Sequence, residues 1–203
     1  VLTRSPADGQ NPTMELLLTK LFVPRRRDDA VARSHLIQRL NRGLDSGLTV
    51  VQGPAGFGKT TLASEWLEQL ERPVAWLSLD PEDNHATRFV TYLVAALQRL
   101  NPEIGQEALG RIRAGMAPDE GLLTSLVNDI VDTEPAVLVL DDLHLLTDDE
   151  VLKVVTFVVE HLPPRSLHVV LLTREQPSLP LSRLRARGQV MELDEGDLRF
   201  SSD

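Results

Sequence analysis

The stretch Gly53, Pro54, Ala55, Gly56, Phe57, Gly58, Lys59, Thr60 and Thr61 sets three glycines ahead of a lysine and two hydroxyls. It fits G-x-x-x-x-G-K-[ST] from Gly53 to Thr60 without a mismatch. Glycines here let the chain turn tightly enough for successive backbone N–H groups to face one anion, and a helix starting near Lys59 would add its positive end. Lys59 would reach the β- and γ-phosphates of a nucleotide, and Thr60 would offer its hydroxyl to Mg²⁺. A glycine-rich turn beside a stray surface lysine is the plain alternative, and the flanking pattern argues against it.

Two acids and an arginine follow further along. Asp141 and Asp142 close the apolar run 136–140, where carboxylates can stand at the carboxyl edge of a parallel sheet beside such a loop. Asp141 would hold Mg²⁺, through water, and Asp142 would orient or polarise an attacking water; a capped strand end is the alternative. Arg174 follows the apolar run 167–172, so a guanidinium would stand at a neighbouring strand end and contact the γ-phosphate. The alternative is an exposed arginine paired with Glu175.

These residues need a sheet to hold them. Residues 48–52 form a β-branched run ending at Gly53, and 61–70 place Leu62, Trp66, Leu67 and Leu70 on one helical face, so strand, loop and helix come in the required order. Further strands are expected over 74–79, 136–140, 167–172 and 189–193. Helices are expected over 33–44, 86–100, 120–131 and 149–161, with the glycine-punctuated stretch 103–120 the least regular. Alternation of strand and helix predicts an α/β, three-layer fold with a mainly parallel, five-stranded sheet flanked by helices.

Composition narrows the class. The chain has 203 residues, 42% hydrophobic and 25% charged, which suits one globular domain. It has no cysteine, which excludes disulfides and thiolate metal sites and favours a cytoplasmic location; no stretch reads as a signal peptide or membrane span. A net charge of −9 argues against a nucleic-acid grip, so DNA binding is not expected of this segment. The basic run Arg25–Arg27 is followed at once by Asp28 and Asp29 and reads as a solvated loop. Residues 1–13 read as a linker or disordered lead-in, and 14–203 as the domain.

The chain resembles the nucleotide-binding domain of the STAND ATPases, in the MalT-like branch of the large ATP-binding LuxR-type transcriptional regulators. The resemblance covers about residues 16–203. It rests on Thr19-Lys20-Leu21 with Pro24, Val31-Ala32-Arg33 and Leu36, the loop Gly53 to Thr61, and Trp76-Leu77-Ser78-Leu79-Asp80 with Asp83-Asn84. Arg88-Phe89, Tyr92-Leu93, Leu140-Asp141-Asp142-Leu143-His144 and Asp197-Leu198-Arg199-Phe200 complete it. The resemblance implies an additional-strand P-loop NTPase core of the AAA+, NACHT and NB-ARC kind, with the strand before Arg174 inserted between the loop strand and the Asp141 strand. It also implies that Val31 and Arg33 lie beside the adenine and that Thr173-Arg174 occupies the sensor position. ATP/ADP and Mg²⁺ are the implied cofactors, with nucleotide-dependent self-association in the full-length protein. The chain is expected to stop before the helical and DNA-binding modules that the family places downstream. It departs from the family pattern in carrying Asp142 where the second acid is a glutamate.

Two other readings stay open on the residues alone. A small-molecule kinase would use the same loop and need an arginine-rich lid, for which Arg183, Arg185 and Arg187 are the candidates. A nucleotide-dependent interaction module would bind without turnover. The leading expectation is a regulatory domain that binds and slowly hydrolyses ATP.

Overall fold

Short β-branched runs that must be buried on both faces are stable only as strands of a sheet covered by helices on each side. The computed structural model describes residues 15–25, 33–163 and 165–199. In it these runs form β1 (Leu48–Gln52), β2 (Val74–Ser78), β3 (Ala136–Asp141), β4 (Leu167–Thr173) and β5 (Val190–Leu193). Every pairing is parallel, in the order β2-β3-β4-β1-β5. β4 therefore lies between the loop strand and the Asp141 strand, as the resemblance implies.

The helices are α1 (Ser34–Gly43), α2 (Lys59–Glu68), α3 (Ala86–Leu97), α4 (Gln106–Arg113), α5 (Glu120–Val131), α6 (Asp149–His161), α7 (Ser182–Ala186) and α8 (Glu195–Leu198). α3 stops short of the expected residue 100 because Arg99 and Leu100 donate to Ala96 and Leu97, tightening the end into turns. α4 forms within the stretch that sequence leaves irregular.

Period-two alternation divides the strands between two layers. Val50, Leu77, Leu138, Leu140, Val169 and Leu171 pack with α3, α5 and α6. Val51, Trp76, Val139, Val170 and Leu172 pack with α1 and α2. Trp66 of α2 is fully buried there and donates its ring N–H to Asn41 Oδ1 of α1 at 2.8 Å, so its polar atom is satisfied.

The lead-in segment is pinned by charge. Lys20 is buried, donates to Asp80 Oδ2 at 2.9 Å and pairs with the fully buried Asp83, while its ammonium lies 4.2 Å from the centre of the Tyr92 ring. Arg88 pairs with Asp83 from the other side, and Leu17 N–H donates to the Tyr92 hydroxyl at 3.0 Å. Residues that look unrelated along the chain thus form one cluster beside the end of β2. Cutting it at Lys20 would leave Asp83 a buried charge without one of its two cationic partners.

His168 interrupts the apolar pattern of β4. Its Nε2 meets Thr49 Oγ1 at 2.9 Å, and its ring stands edge-on to Trp66. Burial, with a smaller push from Arg72, lowers its pKa to about 4. An unfolded histidine takes its proton near 6.5, so from about pH 6.5 down to 4 the unfolded chain binds a proton that the fold refuses. Stability is full above that window and falls with pH through it, by about 3 kcal/mol at the acid end. His168→Gln retains a donor for Thr49 and removes the titration. Melting curves of the two proteins from pH 7 to 4 should diverge, with the parent falling faster; parallel curves would mean the ring is protonated inside the fold.

Candidate functional site

β1 runs straight into the glycine loop. The Gly53 N–H donates to the Thr173 carbonyl at 3.1 Å, which ties the loop's first residue to the end of β4. A side chain on Gly53 would start 2.9 Å from Leu198 Cδ1, so α8 closes against the loop and Leu198 would have to shift to admit one. α8 is held there by its capping box at Asp194 and by the Arg39–Asp197 ion pair.

At the other end of the loop Gly58 takes φ 72° and hands the chain to α2 at Lys59. Left-handed backbone suits glycine, and a Cβ there would also sit 3.3 Å from the Arg33 guanidinium. Arg33 is 8% exposed and donates from Nη1 to the Phe57 carbonyl at 2.9 Å. Burial lowers its pKa and the Glu65 charge opposes that shift. Arg33 thus lies against the loop backbone, while Val31 falls outside the described residues.

Lys59 is 7% exposed and folds back onto the loop, donating to Gly53 O at 2.6 Å and Pro54 O at 3.1 Å. Burial pulls its pKa below the usual lysine range; Asp142 and Asp141 oppose this and Arg174 adds to it. Thr60, next on α2, donates its hydroxyl to the Asp141 carboxylate at 3.0 and 3.2 Å, although 81 residues separate them. Asp141 is 5% exposed at the end of β3 and also accepts the Asp142 N–H at 3.0 Å. Its pKa is pushed up to about 6, by burial first and the Asp142 charge second; Thr60, the Asp142 N–H and Lys59 pull the other way. A buried carboxylate and a hydroxyl converging on one point form a hard-oxygen donor set, which fits Mg²⁺.

Asp142 sits in left-handed backbone at φ 61°, the one non-glycine residue with positive φ among those described. Its carboxylate is 44% exposed. The turn Leu143–Leu145 begins immediately after it. Arg174 follows β4 and is exposed; its charge is felt at both Lys59 and His144. The structure thus brings Lys59, Thr60, Asp141, Asp142 and Arg174 to one edge of the sheet. Arg187 instead lines a depression with Ser46, Gly47 and Leu48, at the opposite, N-terminal edge, and Arg185 is paired with Glu192 on β5 at 2.7 Å. The arginine stretch that a kinase lid would need is therefore on the far side of the sheet.

The model of the AAA ATPase domain family matches residues 24–172, a span that contains the loop, both acids and all of α1 to α6. The chain belongs to that family. It is 35% identical over 189 residues to the HTH-type transcriptional regulator MalT of Yersinia pestis (strain Pestoides F), and equally to that of Serratia proteamaculans (strain 568). Each alignment covers 92% of this chain and 21% of the relative, so the chain spans about a fifth of the length of these curated relatives. Among solved structures it is similar to a Walker-type ATPase of Pyrococcus abyssi, with a TM-score of 0.46, 15% identity, and coverage of 73% of this chain and 46% of that one. Among the described residues of this AAA ATPase domain, no helix is long and apolar enough to cross a membrane.

Sequence reasoning gave no role of their own to two residues that border the site, and to a third, Thr173, only the sensor position that the resemblance implies. Leu198 belongs to the quoted Asp-Leu-Arg-Phe segment, yet nothing local says that it meets Gly53. Thr173 supplies the carbonyl that holds Gly53, and its hydroxyl turns the chain by donating to Glu175 O at 2.8 Å. His144 ends the quoted Leu-Asp-Asp-Leu-His run, and its Nδ1 lies 3.8 Å from Asp142 Oδ1.

Proposed function

We propose that this chain is the ATP-binding, slowly hydrolysing switch domain of a MalT-like, ATP-dependent transcriptional regulator. The observation that carries the reading is the Thr60–Asp141 contact at 3.0 Å, which joins the start of α2 to the end of β3 directly beside Lys59. Lys59 leaves the loop carbonyls for the β- and γ-phosphates, and the loop N–H groups with the α2 N-terminus hold the phosphate oxygens. Thr60 and Asp141 hold Mg²⁺, which when bound offsets phosphate charge. Asp142 orients the water that attacks the γ-phosphate, and Arg174 reads whether that phosphate is present. Arg33 braces the loop from the side of Phe57 and Gly58. The family resemblance adds ATP-dependent self-association of the full-length protein in the cytoplasm, with DNA recognition by another part of it; the charge of −9 fits that division.

Calorimetric titration with ATP, ADP and AMP, each with and without Mg²⁺, tests the site. ATP and ADP should bind more tightly with the cation, and AMP should bind weakly either way; equal affinity for all three would overturn the assignment. Phosphate release without an added acceptor separates hydrolysis from a kinase or a binding-only module.

Arg174→Ala should weaken ATP about tenfold, equivalent to about 1.4 kcal/mol, and leave ADP within twofold. Equal losses for both nucleotides would show that Arg174 does not read the γ-phosphate.

A further inference from the structure

The turn that follows Asp142 is unusually well fixed for a surface connection. Leu145 N–H closes onto the Asp142 carbonyl at 3.0 Å and Leu146 N–H onto Leu143 O at 3.0 Å, with Leu143 and Leu146 buried beneath. Asn84 ties it to the family-like Asp83-Asn84 segment: its amide donates to Leu145 O at 2.7 Å, and its carbonyl accepts from Thr147 N at 2.7 Å and Asp148 N at 3.0 Å. The backbone cost of positive φ at Asp142 is met by this turn, which sets where the next side chains point.

One of them is His144. Its side chain is 11% exposed, and its Nδ1 is buried without a hydrogen-bond partner, an arrangement that costs free energy unless something uses it. Across from it stands Asp142, whose Oδ1 is 3.8 Å away on a carboxylate that is 44% exposed. Asp142, Arg174, Lys59 and Glu175 all lie close enough to act on the ring electrostatically. The ring also lines a cavity of about 170 Å³ with Thr173 and Glu175, on the strand end that presents Arg174.

We propose that His144 is a positioning residue for hydrolysis: its Nδ1–H donates to Asp142 and holds the opposite carboxylate oxygen toward the attacking water. The inference rests on the hydrolytic role assigned to Asp142 above. It explains why a buried ring nitrogen has been left beside a half-exposed carboxylate. It also gives the Asn84-tied turn a task, since the turn sets the distance between the two side chains.

The test combines kinetics with a spectroscopic readout that does not need turnover. His144→Ala should lower kcat for ATP about tenfold to a hundredfold with KM and ATP affinity within twofold of the parent. His144→Asn, whose amide nitrogen falls near Nδ1, should recover most of that rate, and His144→Gln, which mimics the other ring nitrogen, should not. In the Asp142→Asn background His144→Ala should cost little more, because its partner is already gone. In ¹⁵N-histidine spectra the ring should be the Nδ1–H tautomer in the Mg²⁺–nucleotide complex and change tautomer in Asp142→Ala. Parental kcat in His144→Ala, additive losses with Asp142→Asn, no advantage of Asn over Gln, or a tautomer indifferent to Asp142→Ala would each overturn the proposal. A parent that binds ATP but releases no phosphate would instead overturn the hydrolytic reading, while the tautomer would still report whether the contact exists.

Discussion

Lys59→Ala should reduce ATP affinity by more than a hundredfold. The lysine ammonium is held by two carbonyls of the loop itself, at 2.6 and 3.1 Å, and the residue is 7% exposed, so it is already gathered at the loop that we propose holds the phosphates. Each charge-assisted hydrogen bond contributes about 1.5–3 kcal/mol, and two of them to the β- and γ-phosphates exceed the roughly 2.8 kcal/mol that a hundredfold represents. The fold should survive, because the loop stays anchored through Gly53 to Thr173 and through Arg33 to Phe57. Thermal melting controls for that, and calorimetry reads the affinity. A variant that binds ATP within threefold of the parent would remove the phosphate site from this loop.

Asp142→Asn should leave nucleotide binding intact and slow hydrolysis about a hundredfold or more, the usual range for losing a general base. Asparagine is the substitution to use: it tolerates the left-handed backbone at φ 61° and keeps the shape of the side chain, so only the charge is tested. Phosphate release at saturating ATP and Mg²⁺ is the measurement. Turnover at the parental rate would mean that the attacking water is handled elsewhere, and with it the proposed task of His144 would fall.

Much of this arrangement was legible along the chain, and the reason is local. The glycine loop is a contiguous pattern, β3 announces itself as an unbroken apolar run, and both acids follow that run directly. The strand order was not legible from periodicity, which fixes the face of each strand and says nothing of its neighbours; only the family resemblance implied it. The contacts that finish the site join distant segments and leave no periodic trace: Lys20 with Asp83, Arg33 with Phe57, Leu198 with Gly53. The arginines of 183–187 looked like candidates because composition carries no record of which edge of the sheet a helix meets. His144 escaped notice for a related reason, since its bearing on Asp142 depends on a one-turn backbone geometry set by Asn84.

The seat of Leu198 against Gly53 makes the phosphate loop and α8 parts of one lever. Leu198 is 1% exposed, and burying a leucine contributes about 2 kcal/mol. Gly53 supplies one part of that burial, and the cluster that holds Leu36, Val51, Leu62 and Leu193 supplies the rest. The last helix described and the first residue of the glycine loop are thus packed neighbours, although they lie far apart along the chain.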